Sequence, residues 1–263
     1  MLGAIIGDIV GSIYEFNNIK TKDFLLWSQG TTYTDDSIMT IAVAKALLVS
    51  EGSLTAFHEQ LIKQMQSFGH KYPYPCGGYG FGFSGWLFSD EHLPYNSFGN
   101  GSAMRVSACG FAASSLNEAL AFATQSAVVT HNHPEGIKGA QATAAAIYYA
   151  RNGFSKEAIK EYIEQNFYEL NKSIDEIRPT YSFNVTCQGT VPQAIQAFLE
   201  SESFEDSIRN AISIGGDSDT LAAITGAIAQ AYYGIPDDIR EKALSYLPQD
   251  LKDIVLEFEG KYQ

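Results

Sequence analysis

The sequence predicts a compact all-α bundle, on three observations: helical periodicity dominates, strand-like alternation is scarce, and Ala-rich stretches recur. Leu54, Phe57, Leu61, Met65 and Phe68 follow one another at three- and four-residue steps, as do Ala194, Ile195, Phe198 and Leu199. Residues 140–150 and 221–231 favour helix intrinsically and, being small on several faces, suit tightly packed central helices. Roughly ten or more helices are expected. The chain of 263 residues is long enough to bury a sizeable core, so residues 1–263 are expected to fold as a single domain.

Taken in order, the first element is a buried helix. Gly3, Gly7 and Gly11 recur every fourth residue, which puts them on one face and lets a neighbouring backbone approach closely. Asp8, Ser12 and Glu15 line another face as a polar stripe, and buried carboxylates need a partner. Asp8 is read as hydrogen-bonding a neighbouring helix end. Next, Thr34-Asp35-Asp36-Ser37 precedes an apolar helical segment at 38–49. Residues 72–101 break the helical pattern with Pro73, Pro75 and a run of glycines interleaved with Tyr74, Tyr79, Phe81, Phe83 and Trp86. The aromatic content argues for an ordered loop beside a site, its rings either stacking on a ligand or pinning the loop as a satellite cluster. Gly99-Asn100-Gly101 reads as a turn before a helix starting near Ala103, with Arg105 inside that helix and paired with a core carboxylate. His131 and His133 stand at a helix junction before Pro134. Finally, Gly215-Gly216-Asp217-Ser218-Asp219-Thr220 precedes a helix over 221–233.

The balance of 30 acidic against 17 basic residues, net −13, disfavours a nucleic-acid polymer or an anionic membrane as partner. Cys76, Cys109 and Cys187 form no C-x-x-C pair, so neither a disulfide framework nor a thiolate zinc site is expected, and a reduced cytoplasmic setting fits. The apolar start lacks a basic leader and carries Asp8 and Glu15, unlike a signal peptide, and no apolar run is long enough to cross a bilayer.

Both acidic clusters fall at helix starts, where Asp, Ser and Thr act as caps. A cap uses one side chain per helix, so four carboxylates at two helix starts leave some over. Adjacent carboxylates repel unless a cation lies between them, and a hard ion such as Mg²⁺ or Mn²⁺ takes about six oxygen ligands. Capping and metal binding both remain open on the pattern alone. The spacing after Asp217 does not fit an EF-hand, and His131-Asn132-His133 lacks the companions a zinc site needs.

Five motifs in order, Gly7-Asp8 with Gly11 and Glu15, Thr34-Asp35-Asp36-Ser37, residues 99–105, Thr130-His131 and residues 215–220, resemble the ADP-ribosylglycohydrolase family. The resemblance implies an orthogonal all-α bundle with two divalent cations, Mg²⁺ or Mn²⁺, in a central cleft. It implies Thr34, Asp35, Asp36, Asp217, Asp219 and Thr220 as metal ligands and Glu15 as a glutamate near the metals; for catalysis the candidates for general acid or base are Glu15 and a metal-site aspartate, Asp35. Gly99, Asn100, Gly101, Ser102 and His131 would line the ADP-ribose cleft. The expected reaction is hydrolysis of the glycosidic bond between ADP-ribose and an acceptor on a protein or small molecule. Backbone N–H groups would hold the pyrophosphate, so few basic residues are required. Two rival readings are an isoprenoid-synthase-like enzyme, for which the third acidic residue after Asp36 is missing, and a non-catalytic ADP-ribose-binding or crystallin-like protein.

Overall fold

A computed structural model of the chain describes residues 1–262, and among them there are fifteen helices and no strand longer than an isolated bridge. The first group is α1 (Leu2–Gly11), α2 (Asp35–Ser50), α3 (Leu54–Lys71) and the short α4 (Phe81–Leu87). The middle of the chain holds α5 (Gly101–Met104), α6 (Ser107–Ala112), α7 (Leu116–Val128), α8 (Pro134–Arg151), α9 (Lys156–Asn166) and α10 (Ile174–Ile177). The last group is α11 (Cys187–Leu199), α12 (Phe204–Ser213), α13 (Ser218–Tyr233), α14 (Asp237–Tyr246) and α15 (Gln249–Tyr262). Hydroxyl caps start many of these helices, including Ser53, Ser115, Ser155, Thr186 and Ser203, each accepting a backbone N–H of the first turn.

The centre of the molecule is the pair α1 and α13, and the glycine stripe explains their closeness. A Cβ at Gly3 would overlap the Gly226 carbonyl and one at Gly7 the Ala222 carbonyl, while at Gly11 it would lie 2.5 Å from the Cα of Asp219. Backbone therefore lies on backbone along the whole length of α1. This contact sets the start of α13 beside the end of α1. The Ala-rich helices α8 and α13 are buried along most of their length, as the small side chains on several faces predict.

The first helix is shorter than its sequence pattern predicts. It ends at Gly11 with Ser12 as C-cap, and Glu15 lies on the turn beyond. Asp8, Ser12 and Glu15 consequently do not form one polar stripe. The Ser12 hydroxyl donates to the Ile9 carbonyl at 2.8 Å and accepts the Thr32 N–H at 3.2 Å. Fully buried Asp8 accepts from the Thr34 N–H (2.9 Å), the Thr34 hydroxyl (2.6 Å), the Ser37 N–H (3.1 Å) and the Ser37 hydroxyl. Its role is the expected one, holding the N-terminus of α2. Among the described residues no helix is long and apolar enough to cross a membrane.

Candidate active site

The two acidic clusters meet. Thr34 is the N-cap of α2, accepting the Asp36 N–H at 3.2 Å, so Asp35 and Asp36 are left over from capping. Asp217 occupies the N-cap position of α13 yet makes no cap bond; its carboxylate accepts instead from Asn100 Nδ2 at 2.7 Å. The Thr220 hydroxyl donates to Asp36 at 2.9 Å, tying the start of α13 to the start of α2. Glu15, Asp217 and Asp219 each bring a carboxylate oxygen within 4.8 Å of the others'. The backbone reason is local: Gly215 and Gly216 both have positive φ, +71° and +78°, which turns the chain sharply into α13. The Asn18 side chain clamps that turn, donating to the Gly216 carbonyl (2.8 Å) and accepting its N–H (2.7 Å), while also donating to the carbonyls of Tyr14 and Glu15.

These carboxylates lie on the floor of a cleft of about 540 Å³. Burial, together with the charges of their neighbours, raises Asp35, Asp36 and Asp219 well above the usual carboxylate range. Burial also raises Asp217, and burial plus the charges of Asp217 and Asp8 pushes half-buried Glu15 up to about 7. Among the described residues none of the five pairs with Lys, Arg or His. A buried, all-oxygen, uncompensated anionic set fits a hard divalent cation, which would supply the missing charge. The neutral donors fit as well. Thr220 keeps both lone pairs free, and Thr34, whose hydrogen goes to Asp8, keeps one.

The Gly99 turn lines the same cleft. Asn100 is buried, its N–H bonded to the Val185 carbonyl (2.8 Å) and its side chain donating to Thr190 (3.1 Å) as well as to Asp217. Asn100 thus joins the turn to the acidic floor. Gly99, Asn100, Gly101 and His131 line the cleft, as do Asp35, Asp36, Glu15, Asp217, Asp219 and Thr220. Thr34 and Ser102 are buried behind its wall, the Ser102 hydroxyl donating to the Gly136 carbonyl at 2.7 Å. Arg105 differs from expectation. It caps the end of the four-residue α5 rather than lying inside a helix, and it pairs with no carboxylate, donating instead to the Ser126 carbonyl (2.8 Å) and the Thr130 hydroxyl (2.7 Å). Both partners of this guanidinium are neutral.

The loop over 72–101 holds a packed aromatic cluster. Tyr79, Phe83 and Trp86 pack together, with ring centroids 5.3 and 5.4 Å apart, as a satellite cluster. Phe81 is nearly fully exposed at the cleft mouth, and Tyr74 is exposed away from it. Gly77, with φ +77°, passes so near Glu15 that a Cβ would lie 2.9 Å from its Oε2. Sequence reasoning missed a further part of the cleft lining, formed by Phe16, Phe183, Val185 and Thr186. Phe16 and Phe183 stack at 6.1 Å beside Glu15, but two isolated aromatics far apart in sequence carry no periodic signal.

Comparison with known proteins gives the family and the fold. The chain is 28% identical to the human (Homo sapiens) ADP-ribosylhydrolase ARH3 over 95% of its own length and 90% of that protein. It is 27% identical to the ADP-ribosylarginine hydrolase Tri1 of Pseudomonas putida, over 89% of its length and 70% of that protein. A solved structure titled ADP-ribosylglycohydrolase-related protein complex superposes with a TM-score of 0.69 at 21% identity, covering 100% of this chain and 96% of that one, which gives the same all-α fold. This likeness leaves the isoprenoid-synthase reading without support. The ADP-ribosylglycohydrolase family matches residues 1–263, the whole chain, and the chain belongs to that family.

Proposed function

We propose that the chain is a metal-dependent hydrolase that cleaves the glycosidic bond between ADP-ribose and an acceptor, on a protein side chain or a small molecule, with residues 1–263 acting as one domain. The observation that carries this reading is the convergence of Glu15, Asp35, Asp36, Asp217 and Asp219 in one cleft that the Gly99-Asn100-Gly101 turn also lines. An anionic nucleotide and an acidic floor are reconciled if one end of the ligand meets backbone N–H groups and the other meets cations. Three free thiols, two of them buried, fit a reducing cytoplasm.

Two divalent ions, Mg²⁺ or Mn²⁺, would be held by Asp35, Asp36, Asp217, Asp219, Thr220 and the remaining lone pair of Thr34. Bound there, they supply Lewis-acid stabilisation of charge on sugar and water oxygens. The protein's own groups do the rest. The Gly99 turn and His131 seat the pyrophosphate, which orients the distal ribose toward the floor. Glu15, half-buried between Asp217 and Gly77, is placed to move a proton to or from the reacting oxygen, with Asp35 beside it in the cleft. Gly77 leaves room for the Glu15 carboxylate that a side chain would take.

The test is hydrolysis of ADP-ribosyl-arginine and ADP-ribosyl-serine peptides with Mg²⁺, Mn²⁺ or EDTA, using wild type and Asp35→Asn. Turnover by the wild type that chelation and Asp35→Asn each abolish is expected. Turnover indifferent to both overturns the site; binding of ADP-ribose without turnover of any substrate overturns the enzyme reading in favour of a binding protein.

A further inference from the structure

His131 lines the cleft with Nε2 turned toward the glycine turn. A Cβ at Gly99 or at Gly101 would lie 3.4 Å from that nitrogen, and among the described residues Nε2 makes no hydrogen bond. Nδ1, by contrast, lies 2.7 Å from the Thr130 hydroxyl. Which nitrogen carries the proton is settled by the next group along. Arg105 Nη2 donates to the same hydroxyl at 2.7 Å, and a guanidinium can only donate.

Thr130 is fully buried, and its hydroxyl has these two partners alone among the described residues. Were the ring protonated at Nδ1, Thr130 would accept twice and its own hydrogen would be stranded in the interior with no acceptor. With the proton on Nε2, every donor is matched: Arg105 to Thr130, Thr130 to His131 Nδ1. A doubly protonated ring is opposed by burial and by the Arg105 charge, which together hold the imidazole well below its ordinary range. Among the described residues Arg105 pairs with no carboxylate and its Nε is buried without a partner, so the relay begins at a guanidinium held by neutral groups alone.

We propose that Arg105 and Thr130 are positioning residues that hold His131 neutral with its proton on Nε2, so that the ring donates into the space beside Gly99 and Gly101 to an anionic oxygen of the ligand. That the oxygen belongs to the pyrophosphate of ADP-ribose rests on the functional reading above. A neutral donor fixed this way needs no protonation to bind an anion, and it adds no second positive charge beside Arg105.

Two measurements test it. The first reads the ring tautomer in the ligand-free protein by long-range proton–nitrogen correlation on ¹⁵N-histidine samples. Wild type and Thr130→Ser should show Nε2–H, and Thr130→Val should show Nδ1–H or a mixture. An Nδ1–H ring in the wild type overturns the proposal. The second is calorimetric binding of ADP-ribose. Thr130→Val should weaken it about tenfold while Thr130→Ser retains it, a loss of the size expected for one hydrogen bond to a charged group. His131→Gln, whose amide N–H extends to the Nε2 position, should bind better than His131→Asn, so a Thr130→Val chain that fails to fold leaves the question decided by this pair and by the wild-type spectrum. Equal affinity of the Gln and Asn variants overturns the donor role. If the wild type binds no ADP-ribose, the functional reading and the ligand assignment fall together, while the spectrum still decides where the proton sits.

Discussion

Asp35 shares the cleft floor with four other carboxylates and pairs with no basic group, and this has a consequence for stability as well as for activity. In EDTA the folded chain holds these like charges together and the unfolded chain does not. Asp35→Asn should therefore stabilise the metal-free protein by on the order of 1 kcal/mol while removing hydrolysis, a rise of about 2–4 °C in Tm for a chain of this size. A fall in Tm under those conditions would mean that the carboxylates were not repelling one another. The pH dependence has a definite sign. Carboxylates raised in the folded state bind protons there more tightly than in the unfolded chain, so the folded state gains stability as protons are added. For Glu15 the window runs from about 7, its folded value, down to its ordinary value of 4.5. Metal-free wild type should gain Tm as pH falls from about 7 toward 5, before acid unfolding of other groups intervenes, and Asp35→Asn should show a shallower gain. Thermal scans across that range in EDTA check both slopes.

At the scale of elements, the glycine stripe of α1 is the most exacting feature. Gly7→Ala drives a Cβ into the Ala222 carbonyl and within 2.6 Å of the Ala223 nitrogen, and neither backbone can retreat without parting α1 from α13. The expected cost is about 3 kcal/mol or more, with loss of cooperative unfolding. Gly85 in α4 is the control: a Cβ there meets nothing within 4 Å, and Gly85→Ala should be neutral or stabilising by up to about 1 kcal/mol. Chemical denaturation of the two variants separates the cases. The same contrast marks what was legible in the sequence. Gly3, Gly7 and Gly11 announced a close backbone contact because three small residues at one spacing have few other causes. The acidic clusters announced themselves by exceeding what capping needs, and α13 bears this out, since Asp217 sits at the cap position without capping. What stayed hidden was set by tertiary contact. The clamp of Asn18 on Gly216 and the arrival of Phe183 beside Phe16 depend on segments far apart in sequence meeting in space, as the 198-residue separation of Asn18 and Gly216 illustrates. Arg105 was misread for the related reason that α5 is only four residues long, too short for a periodic pattern to place its end.

For the whole molecule, the acidic floor is a joint as well as a site. The turn after α1, the start of α2 and the start of α13 come together there; Asp8 ties the start of α2 to α1, while among the described residues the bonds that reach the start of α13 are few: Thr220 to Asp36, Asn100 to Asp217, Ser218 to the Tyr14 carbonyl, and the Asn18 clamp on Gly216. An overall charge of −13 adds to the repulsion at its centre. Cations bound by carboxylates from both helix starts would therefore close the fold, because the unfolded chain, with those residues some 180 positions apart, offers no comparable set. The linkage is quantitative: at an ion concentration of about 100 times Kd the folded state gains about 2.7 kcal/mol. Wild-type Tm should climb with Mg²⁺ or Mn²⁺ and continue to rise logarithmically beyond Kd, and should fall back on chelation. Asp219→Asn, which removes one carboxylate from the group formed by Glu15, Asp217 and Asp219, should flatten that climb, leaving the response expected from ionic strength alone, for which NaCl at matched strength is the control. Equal climbs for wild type, Asp219→Asn and the salt control would show general screening of an acidic surface. In that event no ion joins the helix starts, and the floor of the cleft would have to be held by protonation of its carboxylates instead.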